Sequence, residues 1–253
     1  MWLREEHVNG DAAGWRNKAP NIFNESSTCT FFQLIAYFAK RMISKETLEK
    51  NHVMQRADDQ HLPSFHCSHE GCNYQNVIAF TYRRDGMLVG CKYRSVKKRF
   101  WQMKGAEKIF YGVDDIKDAD EIIIVEGEVD KLSMNEVGLC NCVSVPNGAP
   151  PSVSDKETSI EEDVGFQYLW KEKEYMEKAS RIILATDGDI PGQALAKELA
   201  RRVGIERCWQ VCWPKKDEFS FCNDANEVLV NLGADALREA VKNAECYQMK
   251  KDN

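Results

Sequence analysis

The sequence lacks several features that would assign a function at first sight. No apolar run approaches the ~20 residues that a membrane-spanning helix needs, and the amino terminus has no apolar core of a secretory signal. None of the ten cysteines stands in a Cys-x-x-Cys pair, which argues against a paired-cysteine zinc module. No Gly-x-x-x-x-Gly-Lys-Ser/Thr motif is present, which argues against a P-loop motor. These absences predict no membrane association and a reducing compartment in which most cysteines are free, buried thiols.

Charge of either sign is plentiful, but it is unevenly distributed. The chain has 253 residues, 43% of them apolar, and a net charge of −6, which by itself argues against binding to nucleic acid. Residues 83–104, however, hold eight lysines and arginines against Asp85 alone, a local net charge of +7. This asymmetry predicts a basic surface for a polyanion, and the length suits one large or two small domains.

The first part of the chain predicts two helices followed by a small antiparallel sheet. Residues 1–28 are polar and irregular. Ser44 is expected to cap the second helix, and Asp85-Gly86 between two apolar runs predicts a hairpin turn. The expected helices cover 31–42 and 45–51, and the expected strands cover 77–80, 88–93 and 99–102.

The second part predicts an α/β fold, because buried strands rich in β-branched residues alternate with helices. Such alternation implies a parallel sheet with helices on its faces. A charged insertion over 152–178 is expected to carry one helix. The expected strands cover 122–125, 142–145, 181–185 and 207–211, and the expected helices cover 128–137, 191–203, 225–231 and 236–245.

Carboxylates follow two of these strands at the point where each strand ends. Glu126 comes directly after the first strand, and Asp187 and Asp189 follow the third. Because ligands of α/β sheets bind at the carboxyl ends of the strands, these side chains are expected to form one cluster with Asp224. Closely spaced carboxylates repel one another, and hard oxygen ligands select magnesium or manganese. The sequence therefore predicts a divalent-metal site that binds phosphates.

Each of these acids also has a purely structural interpretation. Asp189 is well placed as a helix N-cap, and Asp224 with Glu227 has the spacing of a capping box. Glu128 and Asp130 lie in the first turn of a helix, where the helix dipole favours acidic residues. Taken together, an acid after one buried strand and Asp-x-Asp after another favour the metal site.

These motifs resemble those of a known superfamily. Val125-Glu126-Gly127-Glu128 with Asp187-Gly188-Asp189 resembles the TOPRIM domain that topoisomerases and bacterial-type primases share. The stretch 224–229, Asp-Ala-Asn-Glu-Val-Leu, is similar to primase–helicases of the phage and Twinkle type, most closely to plant organellar Twinkle proteins. The resemblance covers roughly residues 34–247. Supporting matches lie at 41–48, 91–94, 98–102 and 183–189.

The resemblance implies an α/β fold in which a TOPRIM Rossmann-like parallel sheet, flanked by helices, follows a small basic β-rich subdomain. The implied divisions are an irregular N-terminal segment 1–28, a primase N-terminal subdomain 29–116 and a TOPRIM domain 117–253. By the same resemblance, the chain is a primase half without a helicase. The implied localisation is the mitochondrion, the chloroplast or both; the chain shows no clear transit peptide, so the nucleus and the cytosol stay open as alternatives.

The resemblance also implies a reaction, the synthesis of short RNA primers on single-stranded DNA from ribonucleoside triphosphates during organellar DNA replication. Glu126, Asp187 and Asp189 would be catalytic, with Glu126 as a candidate general base. The same three residues and Asp224 would hold magnesium or manganese. A separate replicative helicase or an organellar DNA polymerase is an implied partner.

The basic sheet is implied to grip the template strand and the incoming nucleotide. Lysines and arginines pair with phosphates and aromatic rings stack on unpaired bases, whereas a merely solvated basic surface with the aromatics in the core is the alternative. At least one of Tyr93, Phe100 and Trp101 is expected in the core. The candidate contacts are Arg84, Lys92, Tyr93, Arg94, Lys97, Lys98, Arg99, Phe100, Trp101 and Lys104.

The chain departs from the family's pattern in ways that keep alternatives open. The family's paired-cysteine zinc module is absent, and Asn223 stands where relatives usually have Lys. The cramped spacing of another group of possible ligands favours a polar surface loop over a zinc site. That group is His66, Cys67, His69 and Cys72. The alternatives to a primase are a non-catalytic accessory protein that binds single-stranded DNA and a TOPRIM nuclease.

Overall fold

A computed structural model describes residues 28–56, 77–95, 99–154 and 159–248. The chain divides into two compact units between Glu107 and Lys108. The first unit holds an antiparallel sheet and the second holds a largely parallel sheet. Tyr111, just after this boundary, exchanges backbone hydrogen bonds of 3.0 and 3.1 Å with Ser144 of the second unit.

The first unit combines two helices with a four-stranded antiparallel sheet of order β1-β2-β3-β4. Ser44 caps the second helix, as predicted, because its Oγ accepts a hydrogen bond of 3.2 Å from the Thr47 N–H. Asp85 and Gly86 both have positive φ, 53° and 73°, which is the type I′ geometry of two-residue hairpins. The elements are α1 (Thr28–Ala39), α2 (Lys45–Lys50), β1 (Met54–Arg56), β2 (Val77–Arg84), β3 (Met87–Ser95) and β4 (Phe100–Gln102).

The second unit is built on a five-stranded sheet of order β6-β5-β7-β8-β9, flanked by helices. The first four strands are parallel, and β9 pairs antiparallel with β8 at the edge. The strands are β5 (Glu121–Val125), β6 (Cys142–Ser144), β7 (Arg181–Ala185), β8 (Cys208–Gln210) and β9 (Glu245–Cys246). The helices are α3 (Glu128–Glu136), α4 (Gln167–Lys171), α5 (Lys173–Lys178), α6 (Ile190–Val203), α7 (Ala225–Leu232) and α8 (Ala234–Lys242).

The two central strands form the core of the second unit, as their composition predicts. Residues 122–125 of β5 and 182–185 of β7 are buried. Continuous burial follows from helices that cover a parallel sheet, because neither side of a central strand then faces water. The predicted α/β fold with a parallel sheet is confirmed.

The insertion carries two short helices, so the expectation of one helix is wrong. Glu172 leaves the helical conformation with φ −106° and ψ 22°, which separates α4 from α5. Arg202 of α6 anchors this region. Its Nη2 donates a 2.9 Å hydrogen bond to Asp163, and it also pairs with Glu198. All three side chains are buried, so each charge depends on its partners.

The last predicted helix, 236–245, ends earlier than expected, at Lys242. Its expected final residue, Glu245, instead pairs with Gln210 in the sheet. The described cysteines are free thiols, and four of the seven are buried. No helix within the described ranges is long and apolar enough to cross a membrane.

Candidate active site

The parallel pairing of β5 with β7 brings the predicted carboxylates to one edge of the sheet. Val125 lies opposite Ala185, so Glu126 and Asp187 leave neighbouring strands side by side. The loop before α7 closes on this edge, because the Gly188 N–H donates a 2.7 Å hydrogen bond to the Asn223 carbonyl. This contact brings Asp224, the first residue beyond that loop, to the same place.

The acids interact electrostatically, as a single cluster does. Burial raises the pKa of Glu126; a hydrogen bond from Ala149 opposes this, and the charges of Asp189 and Asp224 add to the rise. Burial, followed by the charges of Glu126, Asp224 and Asp189, raises the pKa of Asp187 to about 8. Glu126 and Asp187 therefore lie within electrostatic range of each other, and each lies within range of Asp189 and Asp224. These four acids and Asp130 are called the acidic cluster.

Asp130 is a fifth member of the cluster that the sequence interpretation assigned only to the helix dipole. Burial raises its pKa well above the usual value, and the charges of Asp224 and Asp187 raise it further. Its Oδ1 accepts a 3.3 Å hydrogen bond from the backbone N–H of Asn226. A Cβ at Gly127 would lie 2.8 Å from its Oδ2, so the glycine of the Glu-Gly motif makes room for this carboxylate.

The capping interpretations of Asp189 and Asp224 are also correct. Asp189 Oδ1 accepts a 2.9 Å hydrogen bond from the Gly192 N–H at the start of α6. Asp224 Oδ1 accepts a 2.7 Å hydrogen bond from the Glu227 N–H at the start of α7. Each cap orients a carboxylate through one of its oxygens. Helix capping and membership of the acidic cluster are therefore compatible in the same side chains.

The donor set fits a hard divalent cation, although it is not a complete protein cage. Within the described part of the chain, no three Asp, Glu, His or Cys side chains converge closely enough to hold an ion. Mg²⁺, however, is usually bound by one or two carboxylates with water and phosphate oxygens completing the shell. Glu126 Oε2 is buried without a hydrogen-bond partner, so an electropositive partner would satisfy it.

The glycine at the start of α6 keeps the helix close to the acidic cluster. A Cβ at Gly192 would lie 2.1 Å from the carbonyl oxygen of Asp187, closer than real side chains approach. The Asp187 side chain is held from the other direction, because its Oδ2 accepts a 3.1 Å hydrogen bond from Asn223 Nδ2. The backbone and the carboxylate of Asp187 are thus both fixed by neighbours.

In the first unit, two basic side chains converge on one aromatic ring. Arg94 lies opposite Phe100 in the register of β3 and β4. Lys92 Nζ and Arg94 Cζ are 5.6 and 5.4 Å from the centre of the Phe100 ring, within the range of cation–π attraction. Lys92 is nevertheless only 7% exposed. The structure therefore buries Lys92, whereas the sequence interpretation had placed this residue on a contact surface.

The three aromatic side chains predicted as contacts, Tyr93, Phe100 and Trp101, do not enter the core, so the expectation that at least one of them would do so is wrong. Phe100 is 39% exposed, and Tyr93 and Trp101 are half-buried. Tyr93 and Trp101 stack on each other with ring centres 5.6 Å apart. The physical reason is that β4 is a three-residue edge strand, paired with β3 only.

The remaining predicted contacts are distributed differently. Arg84 forms an ion pair of 3.7 Å with Glu107, and Arg99 and Lys104 are exposed. Two groups of predicted residues lie outside the described residues. They are Lys97 and Lys98 of the basic sheet and the possible zinc ligands His66, Cys67, His69 and Cys72.

Comparison with known proteins finds a similarity within the second unit. Residues 120–210 match the Toprim domain family. This part of the chain is therefore similar to Toprim domains. The match contains β5 and β7, and with them Glu126, Asp187 and Asp189 of the acidic cluster.

Two relatives from Arabidopsis thaliana extend the similarity beyond the Toprim domain. The chain is 54% identical over 215 residues to "Primase homolog protein", a match that covers 85% of this chain and 60% of the relative. It is 52% identical over 212 residues to "Twinkle homolog protein, chloroplastic/mitochondrial", covering 83% of this chain and 28% of the relative. The chain thus spans less than two thirds of the length of each.

Solved structures show the same fold. The primase fragment of the bacteriophage T7 primase-helicase superposes with a TM-score of 0.60 and 23% identity, covering 80% of this chain and 72% of that one. A second T7 structure contains lagging-strand DNA polymerase and primase domains bound to an RNA/DNA hybrid and dTTP. It matches with a TM-score of 0.63 and 23% identity over 83% and 91% of the two chains. These likenesses support the predicted α/β fold.

Proposed function

We propose that this chain is a DNA primase that joins ribonucleotides into short primers on single-stranded DNA. The observation that carries this proposal is the acidic cluster at the ends of β5 and β7, within a Toprim domain whose relatives are named as primase and Twinkle homologues. Burial and mutual repulsion hold these carboxylates in a state that favours a cation. A divalent cation and polyphosphate substrates satisfy that preference.

Magnesium or manganese would be held by one or two carboxylates of the set Glu126, Asp187, Asp189 and Asp224, and water and phosphate oxygens would complete its shell. When bound, the ion would polarise the triphosphate and lower the pKa of the attacking hydroxyl. The side chains contribute orientation, because the helix caps fix Asp189 and Asp224. Glu126 Oε2, which is buried and unpaired, is the atom that would accept the proton of the attacking hydroxyl.

The basic sheet would bind the nucleic acid in this proposal. Arg94 and the exposed face of Phe100 offer a charge for a phosphate beside a ring for a base. Exposed Arg99 and Lys104 extend the positive surface. Binding of this kind weakens steeply with added salt, because each phosphate contact releases counterions.

The setting would be organellar DNA replication. The name of one relative carries the words chloroplastic/mitochondrial, and the T7 assembly pairs primase domains with a DNA polymerase. By analogy, an organellar DNA polymerase would extend the primers. A separate replicative helicase is the other proposed partner.

A primer-synthesis assay tests the function directly. Single-stranded DNA, the four ribonucleotides and Mg²⁺ should yield short RNA, and Asp187→Ala with Asp189→Ala should abolish the product. Asp118→Asn is the matched control, because its side chain is 94% exposed and lies in an exposed ion pair with Lys178. Equal activity of the wild type and the double variant would refute the catalytic assignment.

A second candidate is a non-catalytic protein that binds single-stranded DNA. The observation in its favour is the lack of a three-ligand cage among the described residues. Salt-sensitive DNA binding without any RNA product would identify this function. Degradation of DNA with Mg²⁺ and no nucleotides would instead identify a Toprim nuclease.

A further inference from the structure

A cleft of about 600 Å³ opens beside the acidic cluster, within the second unit. This volume is in the range of small-molecule sites. It lies beyond the ends of β7 and β8, next to the antiparallel edge strand β9. Its lining includes Asp187, Gln210, Trp213, Phe221, Asn223 and Glu245. The proposed primase chemistry assigns no role to this cleft apart from Asp187 on its rim.

One wall of the cleft presents an aromatic ring. Phe221 is 60% exposed, although its backbone is held in place by a bridge to Lys215. The next residue along, Cys222, donates a 2.8 Å backbone hydrogen bond to the Pro214 carbonyl. Lys215 Nζ lies 5.6 Å from the centre of the ring. The ring is therefore positioned by the backbone while much of its surface is available for stacking.

The other walls provide hydrogen-bonding groups with different availability. The indole N–H of Trp213 is already used, in a 2.9 Å hydrogen bond to the Thr186 carbonyl. Asn223 Nδ2 donates to Asp187. The half-buried side-chain amide of Gln210 has no hydrogen-bond partner among the residues that the structure describes, so it can donate to and accept from a ligand.

The charges select which part of a nucleotide fits. Asp187 and Glu245 line the cleft and repel a phosphate group that no cation accompanies, whereas Lys215 lies at the Phe221 ring and does not line the cleft. A nucleobase is neutral, stacks on an aromatic ring and carries donors and acceptors on its edge. The rim at Asp187 lies at the acidic cluster, where the phosphates of the same nucleotide would meet the cation.

We propose that this cleft receives the nucleobase of the bound ribonucleoside triphosphate, stacked on Phe221 with Gln210 facing its edge. The inference rests on the proposed primase function, since that function places the triphosphate at the acidic cluster. Stacking on a phenylalanine ring tolerates any base. The subsite therefore provides affinity for nucleotides in general, and base pairing with the template is left to choose among them.

Calorimetric titration in Mg²⁺ with two ligands separates the subsite from the phosphate site. ATP carries a base, whereas inorganic tripolyphosphate does not. Phe221→Ala should raise the Kd for ATP about 5- to 150-fold, since stacking is worth ~1–3 kcal/mol per base. The same variant should leave the Kd for tripolyphosphate unchanged. Phe221→Tyr keeps the ring and should bind ATP like the wild type.

Two further variants keep the test sharp. Phe219→Ala is the matched control, because Phe219 lies in the same loop and is 94% exposed but does not line the cleft. It should bind ATP normally. Gln210→Leu leaves the loop intact and should weaken ATP roughly 2- to 10-fold, as expected for one hydrogen bond, again without an effect on tripolyphosphate.

The outcomes distinguish this inference from the proposed function. Unchanged ATP binding by Phe221→Ala and Gln210→Leu, or equal weakening of both ligands, would overturn the subsite alone. If Phe221→Ala binds ATP normally but binds an oligothymidylate strand more weakly than the wild type does, the cleft is a template site and the nucleobase subsite is overturned. A third outcome is that the variants raise the Kd for ATP and leave the Kd for tripolyphosphate unchanged, as expected, while the wild type makes no RNA. That result would support the subsite and overturn the primase function. Failure of the wild type to bind either ligand would overturn both.

Discussion

Asp187→Asn should stabilise the metal-free protein, and the size of the effect should depend on pH. The pKa of Asp187 rises from 3.8 to about 8, first because the side chain is buried and then because Glu126, Asp224 and Asp189 are close. A raised pKa means that the folded state holds the proton more tightly than the unfolded state. The contribution of Asp187 to the free energy of unfolding is therefore fully present below pH 3.8, and it is lost progressively as the pH rises toward 8.

The raised pKa of Asp187 lowers the free energy of unfolding at pH 7, compared with pH values below 3.8, by on the order of 4 kcal/mol, from about three pH units at 1.36 kcal/mol each. Relaxation of a cluster in which several acids share charge reduces this figure, so about 1–4 kcal/mol is expected. Asparagine removes the charge and retains an oxygen for the 3.1 Å hydrogen bond from Asn223. The variant should therefore recover most of this free energy at neutral pH and little near pH 4.

Thermal unfolding in EDTA across pH 4 to 8.5 provides the measurement. Because 1 kcal/mol corresponds to about 2–4 °C for a chain of this size, the Tm of the variant should exceed that of the wild type by several degrees at pH 7.5. The two curves should converge toward pH 4. Added Mg²⁺ should raise the Tm of the wild type more than that of the variant, since binding to the folded state stabilises it.

A lower Tm for Asp187→Asn at pH 7.5 would refute the reasoning, and so would a difference that does not change with pH. Asp118→Asn tests whether the loss of any acidic charge has the same effect on this acidic protein. Its exposed ion pair with Lys178 should contribute little, so its Tm should match that of the wild type at every pH.

Three further predictions concern other parts of the molecule. Gly192→Ala should lower the Tm and reduce primer synthesis, because the added Cβ would lie 2.1 Å from the Asp187 carbonyl oxygen and would force α6 away from it. Overpacking of this kind costs ~1–3 kcal/mol. A variant with normal activity and a normal Tm would contradict the geometry. Arg202→Met should cost about 3–5 kcal/mol in urea unfolding, since it leaves the buried Asp163 carboxylate without its ion-pair partner; a loss below 1 kcal/mol would contradict this. Arg94→Ala should weaken single-stranded DNA binding and reduce the salt dependence by about one counterion; an unchanged salt slope would exclude a phosphate contact.

The central strands and the acids that follow them could be predicted because the deciding signals are local. Residues 122–125 and 182–185 are continuous apolar runs, and continuous runs of this length indicate strands buried on both sides. Adjacent parallel strands then place their carboxyl ends together, so Glu126 and Asp187 had to be close once the two strands paired. The caps at Asp189 and Asp224 were predictable for the same reason, since a cap involves only residues three apart.

The features that the sequence interpretation missed depend on contacts between distant segments. Glu245 and Cys246 have no strand pattern of their own, and they form β9 only because the edge of β8 is available to them. Lys92 alternates with aromatic residues as a surface lysine would, yet the cross-strand neighbour Phe80 is fully buried. Alternation distinguishes the two faces of a sheet, but it does not show which face another segment covers.

The sequence by itself determined the α/β architecture, the Glu-Gly and Asp-x-Asp motifs and the concentration of positive charge, because each depends on neighbouring residues. The tertiary structure alone decided that Asp130 belongs to the acidic cluster. The helix dipole favours an acid in the first turn of a helix whether that acid is exposed or buried. The burial of Asp130 depends on α7, about a hundred residues later in the chain, where the Asn226 N–H donates a hydrogen bond to the Asp130 carboxylate. The cleft at Phe221 was likewise decided by folding, because its walls come from four separate segments that only the sheet brings together.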